Sequence, residues 1–130
     1  MKPTELRIGC LVESDGIFAV SSIIETDSGY DIEVRDSNQQ CWIFTEKEIH
    51  PIILSEDWIV KLGWIWWQNT KSFEKVGFVQ GSIRETPFGW EVFNYVLQSV
   101  TCRKINYVHQ LQNLYFALTG EELTINTEQK

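Results

Sequence analysis

Few of the residues that build disulfide frameworks and metal sites occur in this chain. Its three cysteines, Cys10, Cys41 and Cys102, are an odd number, lie far apart and form no Cys-x-x-Cys pair. That spacing fits neither a disulfide scaffold nor a structural zinc site, and free thiols indicate a reducing compartment. The two histidines, His50 and His109, have no neighbouring group of Cys, Asp or Glu, so we expect neither a metal ion nor a cofactor.

Long apolar runs are missing as well. Residues 1–6 lack the hydrophobic stretch of a secretion signal, and no run approaches the roughly 20 residues that a membrane-spanning helix needs. We therefore expect a cytoplasmic protein that does not enter a membrane.

Local motifs for catalysis and phosphate binding are also missing. Gly77 and Gly81 fit neither the dinucleotide fingerprint nor the P-loop, which makes turns the better interpretation. Ser21 and Ser22 lack a nucleophile elbow, and no cysteine has a local nucleophile signature. We predict no catalytic residue, although triads can also assemble from distant positions.

Paired carboxylates are the remaining enzymatic hypothesis. Asp31, Glu33 and Glu91 could form a glycosidase-like site if two of them lay about 5–10 Å apart in a cleft. Asp31 and Glu33 alternate with apolar residues, however, which is typical of outward-facing strand positions.

Basic charge is scarce, above all in the first half. The net charge is −7, and residues 1–57 carry twelve acidic against four basic side chains. Such a chain repels phosphate backbones, so we do not expect DNA or RNA as a partner. The amides of Gln110, Gln112 and Asn113 could read adenine, but no Lys or Arg between residues 107 and 122 would hold phosphate. We predict instead that Gln110 and Asn113 bond neighbouring backbone or a second subunit.

The first part of the chain has the pattern of a β meander. Turn signals separate four short segments that are β-branched or alternate in polarity, namely 6–13, 17–24, 30–35 and 41–44. Strands this short must curl to close their edges, so we predict an SH3-like small barrel over residues 1–54.

Two helices and a second sheet are predicted beyond residue 54. Ser55 is a favourable N-cap for a short helix that ends at Gly63. Extended segments at 64–67, 73–79 and 89–100, the last one reaching Cys102 with a bend, predict a small antiparallel sheet. A longer helix is predicted over 106–119, where one face is apolar, Asn106 is the cap and Gly120 ends the helix.

The predicted class is α+β in one compact unit. Residues 55–123 form the second subdomain, in which the last helix lies across the second sheet because its apolar stripe needs a partner. Residues 124–130 are predicted to be a polar tail.

Tryptophan is the most informative residue that the chain has in abundance, with six in 130 residues. Trp66 and Trp67 are consecutive, so in a regular strand they point to opposite faces and only one enters the core. The other could stay exposed beside Trp90 and stack on a ligand, or it could pack between the two halves. The candidate binding residues are Trp66, Trp67, Trp90, Gln110 and Asn113.

Three stretches resemble a known group of proteins. They are the opening Leu-Arg-Ile-Gly at 6–9, the centre from Pro51 to Trp64, and the ending Val-His-Gln-Leu-Gln-Asn-Leu-Tyr-Phe-Ala-Leu-Thr-Gly-Glu-Glu-Leu at 108–123. The chain resembles short uncharacterised proteins of Bacteroides-type gut bacteria, their prophages and mobile elements. Ser55 and Trp64 replace a Thr and a Phe of that pattern, and Cys10 stands where Asn is usual. The resemblance implies a shared architecture, but no activity and no functional residue.

Two functions follow as hypotheses. The first is a non-enzymatic protein-interaction module of phage or mobile-element origin, with an unknown protein partner or a homodimer through the last helix or a sheet edge. The alternative is a ligand-binding module whose exposed tryptophans stack on a glycan or a nucleobase.

Overall fold

The computed structural model describes residues 6–75, 78–94 and 99–125, which form two antiparallel sheets and two helices. The elements along the chain are β1 Leu11–Glu13, β2 Ile17–Thr26, β3 Gly29–Arg35, β4 Cys41–Thr45, α1 Glu56–Lys61, β5 Ile65–Trp67, β6 Ser72–Lys75, β7 Phe78–Thr86, β8 Gly89–Asn94, β9 Ser99–Ile105 and α2 Val108–Thr119. The predicted α+β class is confirmed. Of the predicted polar tail, residues 126–130 lie outside the described residues.

The described residues group into two compact units. The first contains residues 6–53 and Tyr107–Glu122, and the second contains Leu54–Asn106 and residues 123–125. The chain therefore leaves the first unit after Ile53 and returns to it at Tyr107, so that the last helix belongs with the N-terminal sheet.

The first unit contains the sheet β1-β2-β3-β4, in which each strand pairs antiparallel with the next. In β3 the buried Ile32 and Val34 alternate with Asp31 and Glu33, which lie on the other face, as the sequence pattern predicted. The core of this unit consists of the buried residues Leu6, Cys10, Val12, Val20, Ile32, Val34 and Ile49. The meander is confirmed, whereas an SH3-like barrel stays a prediction.

The first strand is shorter than the sequence pattern predicted, because a turn interrupts it. Ile8 and Gly9 form this turn, and Gly9 has a φ of +97°, which favours glycine. A β-carbon at this position would lie 2.9 Å from the Glu122 side chain. Strand β1 therefore begins only at Leu11.

The turn between β3 and β4 is organised by Asp36. Its carboxylate accepts hydrogen bonds from the backbone N–H groups of Asn38 and Gln40, each at 2.9 Å. The Trp42 indole N–H donates to the same carboxylate at 3.3 Å. The bond from Gln40 is the main reason why the pKa of Asp36 lies below its ordinary value.

The second unit contains the sheet β5-β6-β7-β8-β9, again a meander. Five strands stand where the sequence predicted three: segment 73–79 divides between β6 and β7, and segment 89–100 divides between β8 and β9. Residues 84–86 were predicted as loop but lie in β7, where they pair with β8. Gly81 also lies in β7 and not in a turn, while Gly77 lies outside the described residues.

Helix α1 forms where its sequence signals placed it. Ser55 has extended backbone angles and its hydroxyl accepts from the Trp58 N–H at 3.4 Å, which confirms the N-cap. Glu56 and Asp57 occupy the first turn, and Gly63 follows the end of the helix with a φ of +104°.

Helix α2 begins one residue later than predicted. Tyr107 is the N-cap in place of Asn106, and its N–H donates to the Gln110 side chain at 3.1 Å. Gly120 ends the helix in the left-handed conformation, as predicted. Within the described part of the chain, neither helix is long and apolar enough to cross a membrane.

Candidate functional site

The outer edge of β1 is closed by side-chain and main-chain bonds. Gln112 on α2 is fully buried, and its side-chain amide accepts from the Leu11 N–H at 2.8 Å and donates to the Gly9 carbonyl at 3.1 Å. Glu13 and His50 exchange two backbone hydrogen bonds of 2.9 Å. The Gln112 amide thus replaces the hydrogen bonds that a neighbouring strand would make to β1. Another strand therefore cannot pair with this edge at Leu11 or Glu13.

These bonds correct the predicted position of the last helix. Its buried residues Val108, His109, Leu111, Gln112 and Tyr115 belong to the first unit. The apolar stripe correctly predicted that one face of α2 is buried, but the partner is the N-terminal sheet and not the second sheet. The polar Gln112 on that face decides the partner, because its amide matches the free N–H and C=O groups beside β1.

Arg7 fixes the end of α2 through a charged contact. Its guanidinium forms a bidentate pair with the Glu122 carboxylate at 2.8 and 3.2 Å, donates to the Asn113 side chain at 2.7 Å, and lies 4.4 Å from the Phe116 ring centroid. The hydrogen bond to Glu122 raises the pKa of Arg7. Gln110 bonds the Tyr107 backbone, and Asn113 bonds Arg7, so the structure places both candidate amides in intramolecular contacts.

Strand β4 is the other edge of the first sheet, and it is partly bonded at its end. Trp42 and Ile43 are 45% and 65% exposed. The Thr45 N–H donates to the Glu48 carboxylate at 2.9 Å, and the Thr45 carbonyl accepts from the Glu48 N–H at 3.0 Å. One end of this edge is therefore already occupied.

Strand β5 is an exposed edge of the second sheet. Among the described strands only β6 pairs with it, so its opposite side faces outward. All three of its residues are apolar and exposed: Ile65 by 48%, Trp66 by 47% and Trp67 by 52%. Most proteins protect such an edge with charge, proline or a covering segment, so an apolar edge of this kind is a candidate interaction surface.

The sheet face on which Trp66 lies is continuous with the apolar core of the second unit. The strand register aligns Trp66 with Phe73, Phe73 with Ile83, and Ile83 with Val92, which gives one row across β5 to β8. Exposure is 0% at Val92 and Ile83, 5% at Phe73 and 47% at Trp66. The core of the second unit thus reaches the surface at β5, with the Trp66 ring packed edge-on against Phe73 at 5.0 Å between centroids.

Helix α1 turns this exposed edge into a groove. A cavity of about 350 Å³ is lined by Glu56, Asp57 and Val60 from the helix and by Trp66 and Phe73 from the sheet. Glu56 and Val60 are four residues apart and therefore share one helix face. The groove has an apolar floor and a wall with two carboxylates, and its size suits one or two side chains of a larger ligand.

The charges around the groove are unbalanced. Within the described residues, neither Glu56 nor Asp57 has an ion-pair partner. The nearest lysine on the same helix, Lys61, lies over the Trp58 ring at 4.9 Å. The groove therefore presents net negative charge beside an exposed indole.

The predicted tryptophans separate into three environments. Trp66 lines the groove, and its indole N–H donates to the Gln68 side chain at 3.2 Å. Trp67 is exposed on the opposite face of β5. Trp90 is buried, and its ring centroid lies 6.1 Å from that of Phe73. Its indole N–H donates to the Leu54 carbonyl at 3.3 Å, so Trp90 has a packing role.

Sequence reasoning missed the helix side of the groove. Acidic residues are favourable in the first turn of a helix, so the sequence alone gives Glu56 and Asp57 no further role. The signal that could have found the groove is Val60, an exposed apolar residue one turn after Glu56.

The three carboxylates considered as an enzymatic hypothesis lie in two different units. Asp31 and Glu33 belong to the first unit, and Glu91, which pairs with Arg84, belongs to the second. In the described ranges no group of three or more His, Cys, Asp or Glu is placed to hold a metal ion.

Comparison with known proteins gives no relative. No protein-family model, curated protein or solved structure matches the chain. The proposed function therefore rests on the geometry of the groove beside β5.

Proposed function

We propose that this protein is a non-enzymatic protein-interaction module that binds an extended peptide segment along β5. The observation that carries the proposal is an edge strand with three exposed apolar side chains, which borders an aromatic groove. A peptide added as a strand would lie about 4.8 Å from β5, bond its free main-chain groups and place alternate side chains over the groove.

The contrast between sheet edges supports this location. Gln112 and His50 close the edge of β1, and Glu48 bonds the end of β4. Strand β5 is an edge strand, and its residue Trp66 is the exposed end of the apolar row that crosses β5 to β8. Fully desolvated aromatic anchors at the centre of a contact usually supply most of its binding energy, and Trp66 has the position for that role.

The resemblance to short proteins of Bacteroides-type bacteria adds the proposal that this module is itself of phage or mobile-element origin, with an unknown protein partner. A second candidate function is the stacking of a glycan or nucleobase on Trp66 or Trp67, which their exposure of about one half favours. Binding of a mononucleoside or oligosaccharide panel, followed by tryptophan fluorescence, separates this candidate from peptide binding.

A peptide selection tests the main proposal. Random linear peptides displayed on phage are selected against the full chain, and dissociation constants of synthetic copies are measured by calorimetry. We expect Trp66→Ala to weaken binding by about 30-fold, because truncating a central aromatic anchor costs 2 kcal/mol or more.

Trp42→Ala is the matched control. Trp42 is 45% exposed and donates its indole N–H to Asp36 at 3.3 Å, much as Trp66 is 47% exposed and donates to Gln68 at 3.2 Å. This control should change the dissociation constant less than about twofold, since it lies outside the proposed contact. Selected peptides that bind equally well to Trp66→Ala, or a selection that yields no specific peptide, contradict the proposal.

A further inference from the structure

We propose, building on peptide binding at β5, that the bound segment carries a Lys or Arg side chain that enters the groove. Its aliphatic stem would pack on Val60 and Trp66, and its charged end would meet the carboxylates of Glu56 and Asp57. The recognised partner is therefore an extended basic segment and not a neutral or acidic one.

Strand geometry directs one side chain of the peptide into the groove. In a strand paired with β5, every second side chain lies on the face of Trp66. The residue directly opposite Trp66 has its β-carbon about 5 Å from that of Trp66. From there a long side chain extends over the floor formed by Trp66 and Phe73 and reaches the wall formed by α1.

The chemistry of the groove selects a long cationic side chain. The floor formed by Trp66 and Phe73 is apolar. The wall formed by α1 adds the apolar side chain of Val60 and the negative charge of Glu56 and Asp57. A purely apolar side chain would match the floor but leave both carboxylates without a partner, and an acidic one would be repelled. Lys and Arg satisfy both parts, since their methylene stems cover apolar surface while their charged ends stay at the rim.

Two lysines of the same unit already lie over tryptophan rings. Lys61 lies over the Trp58 ring at 4.9 Å, and Lys75 lies over the Trp64 ring at 5.6 Å. The described contacts of Trp66 are with Phe73 and Gln68, which leave 47% of the residue exposed. A ligand cation over Trp66 would add a third such contact, and tryptophan is the strongest ring for it.

Charge also favours a basic partner over a second copy of this chain. An antiparallel pair of β5 strands would bring Trp66 of each copy together, but each copy would also bring Glu56 and Asp57 to the same edge. Self-association would therefore place the carboxylates of two copies at one edge, whereas a basic segment offsets the negative charge of Glu56 and Asp57.

The test uses the peptide selection with three forms of the full chain as targets. The first is wild type, the second is Glu56→Gln with Asp57→Asn, and the third is Glu25→Gln with Asp27→Asn. The third is a matched control, because it removes one Glu and one Asp charge from exposed positions outside the groove. Thermal unfolding of all three verifies that each is folded, since the second form also loses favourable charge at the start of α1.

We expect Lys and Arg to be enriched at one position of the peptides selected by wild type and by the control, and not by the Glu56→Gln/Asp57→Asn form. That form should bind the wild-type-selected peptides about tenfold more weakly, as should wild type when the enriched Lys or Arg is replaced by norleucine. The replacement in the peptide leaves the protein unchanged, so it decides the question even if the double variant unfolds.

Two outcomes overturn this inference separately from the proposed function. Peptides that depend on Trp66 but lose no affinity on replacement by norleucine show a peptide-binding edge without basic selectivity. A wild-type dimer in light scattering that dissociates in Trp66→Ala shows a second copy as the occupant. Peptides that are independent of Trp66 overturn the proposed function itself.

Discussion

Gln112→Met is expected to destabilise the first unit by about 2–4 kcal/mol, because it leaves a buried N–H and a neighbouring C=O without partners. The Gln112 amide bonds the Leu11 N–H and the Gly9 carbonyl, and the side chain has no exposed surface. Met has nearly the same shape, so the change removes hydrogen bonds with little change in packing volume. Urea unfolding followed by circular dichroism, with amide hydrogen exchange in β2 and β3, measures the loss.

Gln40→Met is the control for this prediction. Gln40 is exposed in the same unit and bonds Asp36 through its backbone N–H and C=O groups. We expect a change below about 0.5 kcal/mol there. If both variants are equally stable, the amide of Gln112 does not hold α2 against β1, and the assignment of the last helix to the first unit loses its main support.

Trp90→Ala is expected to destabilise the second unit by about 3–5 kcal/mol, as is usual when a buried tryptophan is truncated. Trp90 is 7% exposed, packs against Phe73 and donates to the Leu54 carbonyl. Trp90→Phe keeps a ring but loses the indole N–H, so about 1–2 kcal/mol should be lost. Denaturant unfolding followed by tryptophan fluorescence reports this unit, because five of the six tryptophans lie in residues 54–106.

Trp67→Ala provides the comparison on the same sheet. Trp67 is 52% exposed, so its truncation should cost less than about 1 kcal/mol. A Trp90→Ala protein as stable as wild type would show that Trp90 is free to contact a ligand, as the sequence alone suggested. A large loss places Trp90 in the core and leaves Trp66 as the aromatic residue of the groove.

Local chemistry made several elements predictable. The Ser55 cap, the acidic first turn of α1, the Gly120 end of α2 and the alternation in β3 each depend on residues within a few positions of one another. Such signals survive folding because the backbone bonds that they satisfy are local.

The strand boundaries of the second sheet depend on longer-range pairing. Residues 84–86 are polar and precede a proline, so the sequence indicates a loop, yet Arg84 pairs with Glu91 and Thr86 with Gly89 across a hairpin. Cross-strand contacts here override the local preference of each residue.

The partner of α2 could not be inferred from its apolar stripe. The deciding bonds join Gln112 to Leu11 and Arg7 to Glu122, residues 101 and 115 positions apart. Hydrophobic periodicity shows that a helix buries one face but says nothing about which surface covers it.

The groove shows the same dependence on topology. Trp64 precedes β5 and Trp66 lies within it, only two residues later, yet they are 1% and 47% exposed. The difference arises because Trp66 lies in an edge strand, where the core row ends. The sequence names Trp66 only as one of several candidates, and the order of the strands shows why it is exposed.

The most direct measurement is an amide NMR titration of the full chain with a selected peptide. Binding as an added strand predicts shift changes at Ile65, Trp66 and Trp67, and slowed hydrogen exchange at those of the three whose N–H points away from β6. The β4 residues 41–45 should stay unchanged as an internal control. Saturable binding that leaves the β5 amides unaltered, while β4 or α2 responds, would contradict the proposed peptide-binding edge.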